Sequence, residues 1–224
     1  MLYSDLQKEH PGAYDVVICG GGLAGLMMAR QLKLTFPDIE LLLLEKRTFP
    51  LPEEKFKVGE STVEASAFYL GETLKLQDYF KNNQFTKLGF RYFTGDSSKN
   101  LNERPEIGLS QFAAYDTFQI NRPLLETDLF TMNELAGIQQ FTNIMVQDII
   151  IGKNKCHQIK FKDVGTGEEK EAYAKWVIDA MGRRCLIQRK HDTHVKATNA
   201  HSSSWFWIKD RIDIDDIVSR SHKG

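Results

Sequence analysis

Six residues near the start of the chain, Gly20-Gly21-Gly22-Leu23-Ala24-Gly25, fit the pattern Gly-x-Gly-x-x-Gly, whose chemistry is the capture of a pyrophosphate. The first glycine of such a turn permits the tight bend, the second lets the main chain approach the phosphates, and the third lets a helix pack closely on the preceding strand. The helix N-terminus then offers free N–H groups to the anion. Glu45 follows Gly25 by 45 − 25 = 20 residues, the spacing at which a carboxylate accepts hydrogen bonds from ribose hydroxyls. Three glycines alone describe only a sharp loop; their joint match with an acid and the right flanking elements points to a dinucleotide. The residues expected to bind it are Gly20, Gly22, Leu23, Ala24, Gly25, Glu45 and the adjacent Lys46. They do not separate FAD from NAD, because both carry the ADP half that this turn recognises.

The elements needed to position these residues are legible around them. Tyr14 to Cys19 is a β-branched run ending at the glycines, as a buried parallel strand does. Leu23 to Leu34 carries Leu26, Met27, Ala29, Leu32 and Leu34 with no glycine after Gly25, which predicts a helix ended by Pro37-Asp38. Ile39 to Leu44 is a second apolar run with Glu45 at its end, giving strand, helix, strand. Further on, Glu64 to Asn82 reads as a helix, Lys87 to Phe93 as a strand and Ser97 to Pro105 as a loop. A helix from Arg122 to Leu135 has proline in its first turn and Gly137 just past its end. Asp148 to Ile151, Gln158 to Phe161 and Ala172 to Ile178 form a β-meander, with turns at Gly152-Lys153-Asn154 and Gly165-Thr166-Gly167. The stretch from Thr198 to Gly224 has no obvious closing element.

Other chemistries find less support. His191 and His194 are too few and too isolated for a metal site, so no metal is expected. Ser61 lacks the Gly-x-Ser-x-Gly elbow of a nucleophile and reads instead as a helix cap, with Glu64 completing a capping box. Lysine plus arginine (29) nearly balance aspartate plus glutamate (30), and no basic run interleaves with aromatics, which argues against nucleic acid. The three cysteines, widely spaced, suit a reducing compartment. With no apolar stretch of signal-peptide or membrane-spanning length, a soluble cytoplasmic protein is expected, with no membrane partner.

Four segments, in this order, resemble the flavin-dependent halogenase and aromatic-hydroxylase superfamily, which includes geranylgeranyl-reductase-like enzymes. They are YDVVICGGGLAGLMMARQL (Tyr14 to Leu32), FKVGEST (Phe56 to Thr62), FQINRPLLETDL (Phe118 to Leu129) and WVIDAMGRR (Trp176 to Arg184). The resemblance implies FAD as cofactor and an α/β fold: a Rossmann-like FAD-binding domain, with a parallel sheet, helices and a β-meander, followed by the start of a substrate domain. Residues 1–190 would form the FAD-binding domain, discontinuous and carrying inserted substrate-domain elements near 85–120. Residues 191–224 would begin a truncated substrate domain, since neither a Trp-x-Trp-x-Ile-Pro motif nor a later Gly-Asp turn is found.

The same resemblance assigns roles to single residues. Arg122 would lead a helix toward the flavin, the alternative being a surface cation. Asp179 and Gly182 would form the turn beside the ADP half, although an aspartate near a glycine is also an ordinary turn former. Within FTKLGFRYF, Lys87 matches the halogenase lysine that traps or directs hypohalous acid made from halide, oxygen and reduced FAD; otherwise it is an exposed lysine on a strand edge. The implied partners are an aromatic or carrier-bound small molecule, a halide and a separate flavin reductase. A monooxygenase or alkene reductase on the same scaffold, and a non-catalytic nucleotide-binding fragment, are the alternatives.

Overall fold

The structure is a computed structural model that describes residues 10, 12–52, 60–109, 111, 114–152, 156–195, 198, 199, 202, 204–206, 209 and 212–218. The chain divides into two units, Met1–Lys57 with Asn121–Thr198, and Val58–Ile120 with Asn199–Gly224.

The first unit is built on six strands in one sheet, in the order Gln139–Phe141, Leu41–Leu44, Tyr14–Cys19, Glu169–Asp179, His157–Asp163, Ile144–Ile150. Strand β1 (Tyr14–Cys19) is parallel both to β2 (Leu41–Leu44) and to β10 (Glu169–Asp179), and β2 is parallel to β7 (Gln139–Phe141). The meander of β8 (Ile144–Ile150), β9 (His157–Asp163) and the first half of β10 is antiparallel. Strand β10 thus spends Glu169 to Ala174 against β9 and Ala174 to Asp179 against β1. The four leucines of β2 are all buried, as a strand covered on both faces requires, and each contributes roughly 2 kcal/mol by leaving water. Helix α1 (Leu23–Thr35) packs against α4 (Arg122–Leu135). A buried hydrogen bond joins them, from Asn133 Nδ2 to the Leu26 carbonyl at 3.0 Å. This parallel, Rossmann-like α/β arrangement with its β-meander is the fold the sequence implies. Strand β2 begins two residues later than expected; just before it the Glu40 N–H donates to the Asp15 side chain, at Oδ2, while the Glu40 carbonyl already accepts from β1.

The second unit holds smaller pieces. The single helix expected from Glu64 to Asn82 is instead α2 (Glu64–Phe68), a wide turn at Tyr69–Thr73, and α3 (Gln77–Asn83). Lys75 breaks it in the left-handed region (φ 56°), which lets Leu74 and Leu76, on either side, both reach the core. The strand expected over Lys87 to Phe93 is two: β3 (Phe85–Lys87) and β4 (Arg91–Phe93), separated by Gly89 at φ 149°. Strand β3 pairs with β6 (Thr117–Gln119), and β4 pairs with β5 (Glu106–Gly108). The loop expected at Ser97 to Pro105 contains a 3-10 turn at Leu101–Glu103, and the last stretch carries a short helix at Ile214–Ile217. Ser61 is not the helix cap: it lies in an antiparallel bridge with Gln119, and α2 starts after Val63, whose N–H donates to Ser66 Oγ. Phe56 to Gly59 of FKVGEST, and Lys153 and Asn154 of the first meander turn, lie outside the described residues.

Candidate functional site

A cavity of about 320 Å³ opens in the first unit at the carboxyl ends of the parallel strands. Its walls come from the residues that follow each strand: Gly20 and Gly22 after β1, Glu45 to Arg47 after β2, and Ala180 to Gly182 after β10. Open parallel sheets bind their ligands at this edge. A second, larger hollow, of about 530 Å³, lies around Asp15, Phe36 and Trp176, near the amino ends of β1 and β2. Its position is opposite to the edge that carries chemistry.

Each glycine of the turn has a separate steric reason. Gly20 sits at φ 107°, and a Cβ there would lie 2.6 Å from the Ala180 carbonyl oxygen. A Cβ on Gly25 would overlap the Gly20 carbonyl oxygen, so α1 could not lie so close to β1. Gly22 differs: its Cβ would meet nothing nearer than Arg47 Nη2 at 3.9 Å, on the cavity wall. Gly22 precedes α1 without any side-chain cap, and the first turn of α1 has no acidic residue. The first N–H groups of the helix, on Leu23, Ala24 and Gly25, therefore lack intrahelical acceptors and face no competing carboxylate from their own turn.

Glu45 is buried and already committed. Its Oε2 accepts the Gly21 N–H at 2.5 Å, and its Oε1 accepts both N–H and Nε–H of Arg47 at 2.8 Å. A carboxylate has about four acceptor positions, so roughly one remains for a ribose hydroxyl. Arg47 reaches further, donating through Nη1 to Glu126 at 3.0 Å and through Nη2 to the Gly21 carbonyl at 3.1 Å. Burial alone would pull the Arg47 pKa down, yet hydrogen bonding and charge from Glu45 and Glu126 hold it above its ordinary value. Glu126 has no exposed surface and is clasped from its other oxygen by Arg122, Nη2 to Oε1 at 2.6 Å. Among the described lining residues, Lys46, Arg47, Arg122 and Arg184 thus stand against Glu45 and Glu126, four cations to two carboxylates. The surplus of two positive charges matches a pyrophosphate dianion.

The structure brings Gly20, Gly22, Glu45, Lys46, Arg122 and Gly182 to this one cavity. Leu23, Ala24 and Gly25 open the helix behind it. Asp179 is not among the lining residues: its carboxylate accepts the N–H of Met181 (3.2 Å) and of Ile187 (3.0 Å), shaping the turn that carries Met181 and Gly182. Arg47, Glu126 and Arg184 were missed by sequence reasoning. An arginine two residues after the ribose-type acid, and a glutamate one helical turn after Arg122, were the available signals.

Lys87 belongs to the second unit. Its Nζ donates to the Thr62 carbonyl at 2.5 Å and stands 4.3 Å from the centre of the Phe90 ring, a cation–π distance. Its own carbonyl accepts from Thr117 Oγ1 at 2.9 Å. Lys87 is partly buried and held from two sides, unlike a freely solvated lysine. Among the described residues there is no group of three or more His, Cys, Asp or Glu able to hold a metal, and no helix long and apolar enough to cross a membrane.

A strand, a glycine turn, a helix and a second strand, with a cationic cavity at the carboxyl edge of a parallel sheet, define the Rossmann-like class of nucleotide-binding folds. Comparison with known proteins narrows the class. The tryptophan halogenase family model matches residues 15–181. The chain is 36% identical over 222 residues to the flavin-dependent halogenase chlA of Dictyostelium discoideum, covering 88% of this chain and 36% of that protein. It is 28% identical over 195 residues to a 1H-pyrrole-2-carbonyl-[peptidyl-carrier protein] chlorinase of Pseudomonas fluorescens, covering 79% and 41%. In fold it is similar to a flavoprotein/dehydrogenase from Cytophaga hutchinsonii, with TM-score 0.66, 21% identity, and 83% of this chain and 44% of that one covered. The myxobacterial chondrochloren halogenase CndH, described as a variant of FAD-dependent halogenases, matches with TM-score 0.63 and 24% identity over 78% and 38%. The chain belongs to the tryptophan halogenase family, and spans about two fifths or less of the length of these curated relatives.

Proposed function

We propose that this chain carries the FAD site and the lysine of a flavin-dependent halogenase acting on an aromatic or carrier-bound small molecule. The observation that carries the reading is the cavity at the carboxyl edge of the parallel sheet. There the uncapped start of α1, the open face of Gly22 and the four cations suit a pyrophosphate, and Glu45 keeps acceptor capacity for a ribose. Family membership adds a flavin to that dinucleotide, and a flavin dinucleotide is FAD. When bound and reduced, FAD would supply the oxygen chemistry that turns halide into an electrophilic halogen species.

The protein's own groups then have distinct tasks. Leu23 and Ala24 N–H groups bind phosphate oxygens, Glu45 orients the ADP ribose, and Arg47 and Arg122 hold Glu45 and Glu126 in place. Lys87 presents an ammonium at a fixed atom, Nζ, to the electrophile and the organic substrate. The first unit is read as the FAD-binding domain and the second as the substrate side; a flavin reductase supplying reduced FAD, and the halide, complete the set of partners.

The test has two parts. Purified chain titrated with FAD should quench flavin fluorescence at near one-to-one stoichiometry; protein that stays colourless after reconstitution would leave only a non-catalytic fragment. With reduced FAD, oxygen, bromide or chloride and an electron-rich phenol, Lys87→Ala should abolish halogenation while flavin oxidation continues. No halogenated product from either protein, with hydroxylated or reduced product undiminished in Lys87→Ala, would point to hydroxylation or alkene reduction instead.

A further inference from the structure

We propose that Thr62 is the positioning residue for the Lys87 ammonium: its hydroxyl takes over a strand hydrogen bond and so releases its own carbonyl to hold the lysine. The inference rests on the halogenase reading for what Lys87 does, but not for what holds it.

The argument lies in the hydrogen-bond pattern around the Ser61–Gln119 bridge. Ile120 N–H donates to the Glu60 carbonyl at 2.6 Å, and Thr62 N–H donates to the Phe118 carbonyl at 2.9 Å. These two bonds flank Ser61 and Gln119, which are therefore the non-hydrogen-bonded pair of an antiparallel ladder. The next pair, Thr62 and Phe118, should then exchange two main-chain bonds, N–H to carbonyl in each direction. Only one is of that kind. The Phe118 N–H goes instead to Thr62 Oγ1 at 2.6 Å, and the same hydroxyl donates its proton to the Phe118 carbonyl at 3.0 Å. The side chain closes the ladder where the main chain would have done so.

The carbonyl thus freed is the acceptor that Lys87 Nζ finds at 2.5 Å. Both residues of the closing pair are buried, Thr62 at 4% and Phe118 at 2% exposure, so water cannot readily replace either bond. The other edge of β6 fixes the main chain of the lysine, since Lys87 pairs with Thr117. Two threonines, one on each side of Phe118, therefore set the lysine: Thr117 through its backbone and Thr62 through its ammonium. A valine at position 62 keeps the shape but not the hydroxyl, so the Phe118 N–H must return to the Thr62 carbonyl in competition with the ammonium. A serine keeps the exchange.

The experiment uses the full 224-residue chain and a water-soluble amine-acylating reagent, with Lys87 modification followed by mass spectrometry relative to the exposed Lys81. Loss of a hydrogen bond made by a charged group is worth about tenfold or more, so Thr62→Val should raise the Lys87 acylation rate by about tenfold. Thr62→Ser should stay near the wild-type rate. A folded Thr62→Val protein acylated at the wild-type rate overturns the proposal, as does a serine variant that behaves like valine. Should the valine variant fail to fold, the wild-type chain still decides: a slowly exchanging ammonium resonance, absent from Lys87→Arg, is expected, and its absence overturns the proposal. Neither readout uses FAD or halide, so a halogenation result against Lys87 would sink the functional reading while leaving this one standing.

Discussion

Replacing Gly22 by alanine adds one methyl group at a point where the protein has room for it and a bound pyrophosphate would not. Gly22 has φ −75° and ψ −178°, extended backbone open to any residue. The nearest atom to the new Cβ would be Arg47 Nη2 at 3.9 Å, an ordinary contact. Alanine is a poorer N-cap than glycine by about 0.5 kcal/mol. It also restricts the unfolded chain, which returns about 0.4–1 kcal/mol. The two effects nearly cancel, and the melting temperature of the cofactor-free chain should change by no more than about 4 °C.

The cofactor experiences the same methyl differently. The cavity holds only about 320 Å³ and Gly22 lines it, so a phosphate oxygen taken up by the first N–H groups of α1 would have to lie against Gly22. Hydrogen bonds to a charged group are worth about 1.5–3 kcal/mol, so pushing the pyrophosphate off one such donor should raise the FAD dissociation constant by about ten- to a hundredfold. Fluorescence titration of FAD, beside thermal melts without it, measures both quantities. Gly20→Ala is the contrast, because φ 107° and the 2.6 Å approach to Ala180 O make it lose fold and binding together. An FAD affinity in Gly22→Ala within about twofold of wild type would refute the reasoning, since a methyl at this point of a pyrophosphate site costs at least one tenfold step.

Arg47→Ala should destabilise the chain by about 3 kcal/mol, read by urea melts, because Glu126 has no exposed surface and would keep only Arg122 of the two arginines clasping it. Arg47→Lys should recover little, as an ammonium cannot reach Glu45, Glu126 and the Gly21 carbonyl together. The Cys19 thiol is pushed up to about 12, chiefly by burial and further by the charge of Asp179. Because the folded value lies above the ordinary 9.0, this group's stabilisation is complete below pH 9 and is lost as pH rises from 9 toward 12. Alkaline melts should therefore fall less steeply in Cys19→Ala than in wild type, and at pH 8 iodoacetamide should leave Cys19 of the folded chain unmodified.

The strands and helices of the first unit were legible because their burial is written in single residues. Val16 to Cys19 and Leu41 to Leu44 are apolar without alternation, which only a sheet covered on both faces accommodates, and Asn121-Arg122-Pro123 starts α4 where a side-chain cap and a first-turn proline allow. The second unit was not legible in the same way. The break at Lys75 has no proline to announce it, only Gly71 in the wide turn before it; the left-handed Lys75 lets Leu74 and Leu76 on either side both be buried. At the cavity, the sequence marked Gly20, Gly22 and Glu45 through spacing, but Arg47 and Glu126 meet from positions 79 apart, and only the packed α4 brings them together. The capping reading of Ser61 failed for a related reason: a local motif yielded to the long-range bridge with Gln119.

The two sets of functional residues depend on different kinds of interaction. In the proposed cofactor site the phosphate-binding groups would be main-chain N–H groups, while Arg47, Arg122 and Glu126 hold the segments around them and Glu45 does so with one acceptor position to spare. At Lys87 the relation is reversed: a side-chain hydroxyl substitutes for the main chain, and a main-chain carbonyl holds the side chain proposed to act. The two networks share no partner among the described hydrogen bonds and lie in different units of the chain. Free-energy effects of substitutions without shared partners add. Gly22→Ala combined with Thr62→Val should therefore show the FAD affinity of the first alone and the Lys87 acylation rate of the second alone. Coupling between the two measurements would mean that the glycine turn and the lysine are held by one network, and that the division of labour argued here is wrong.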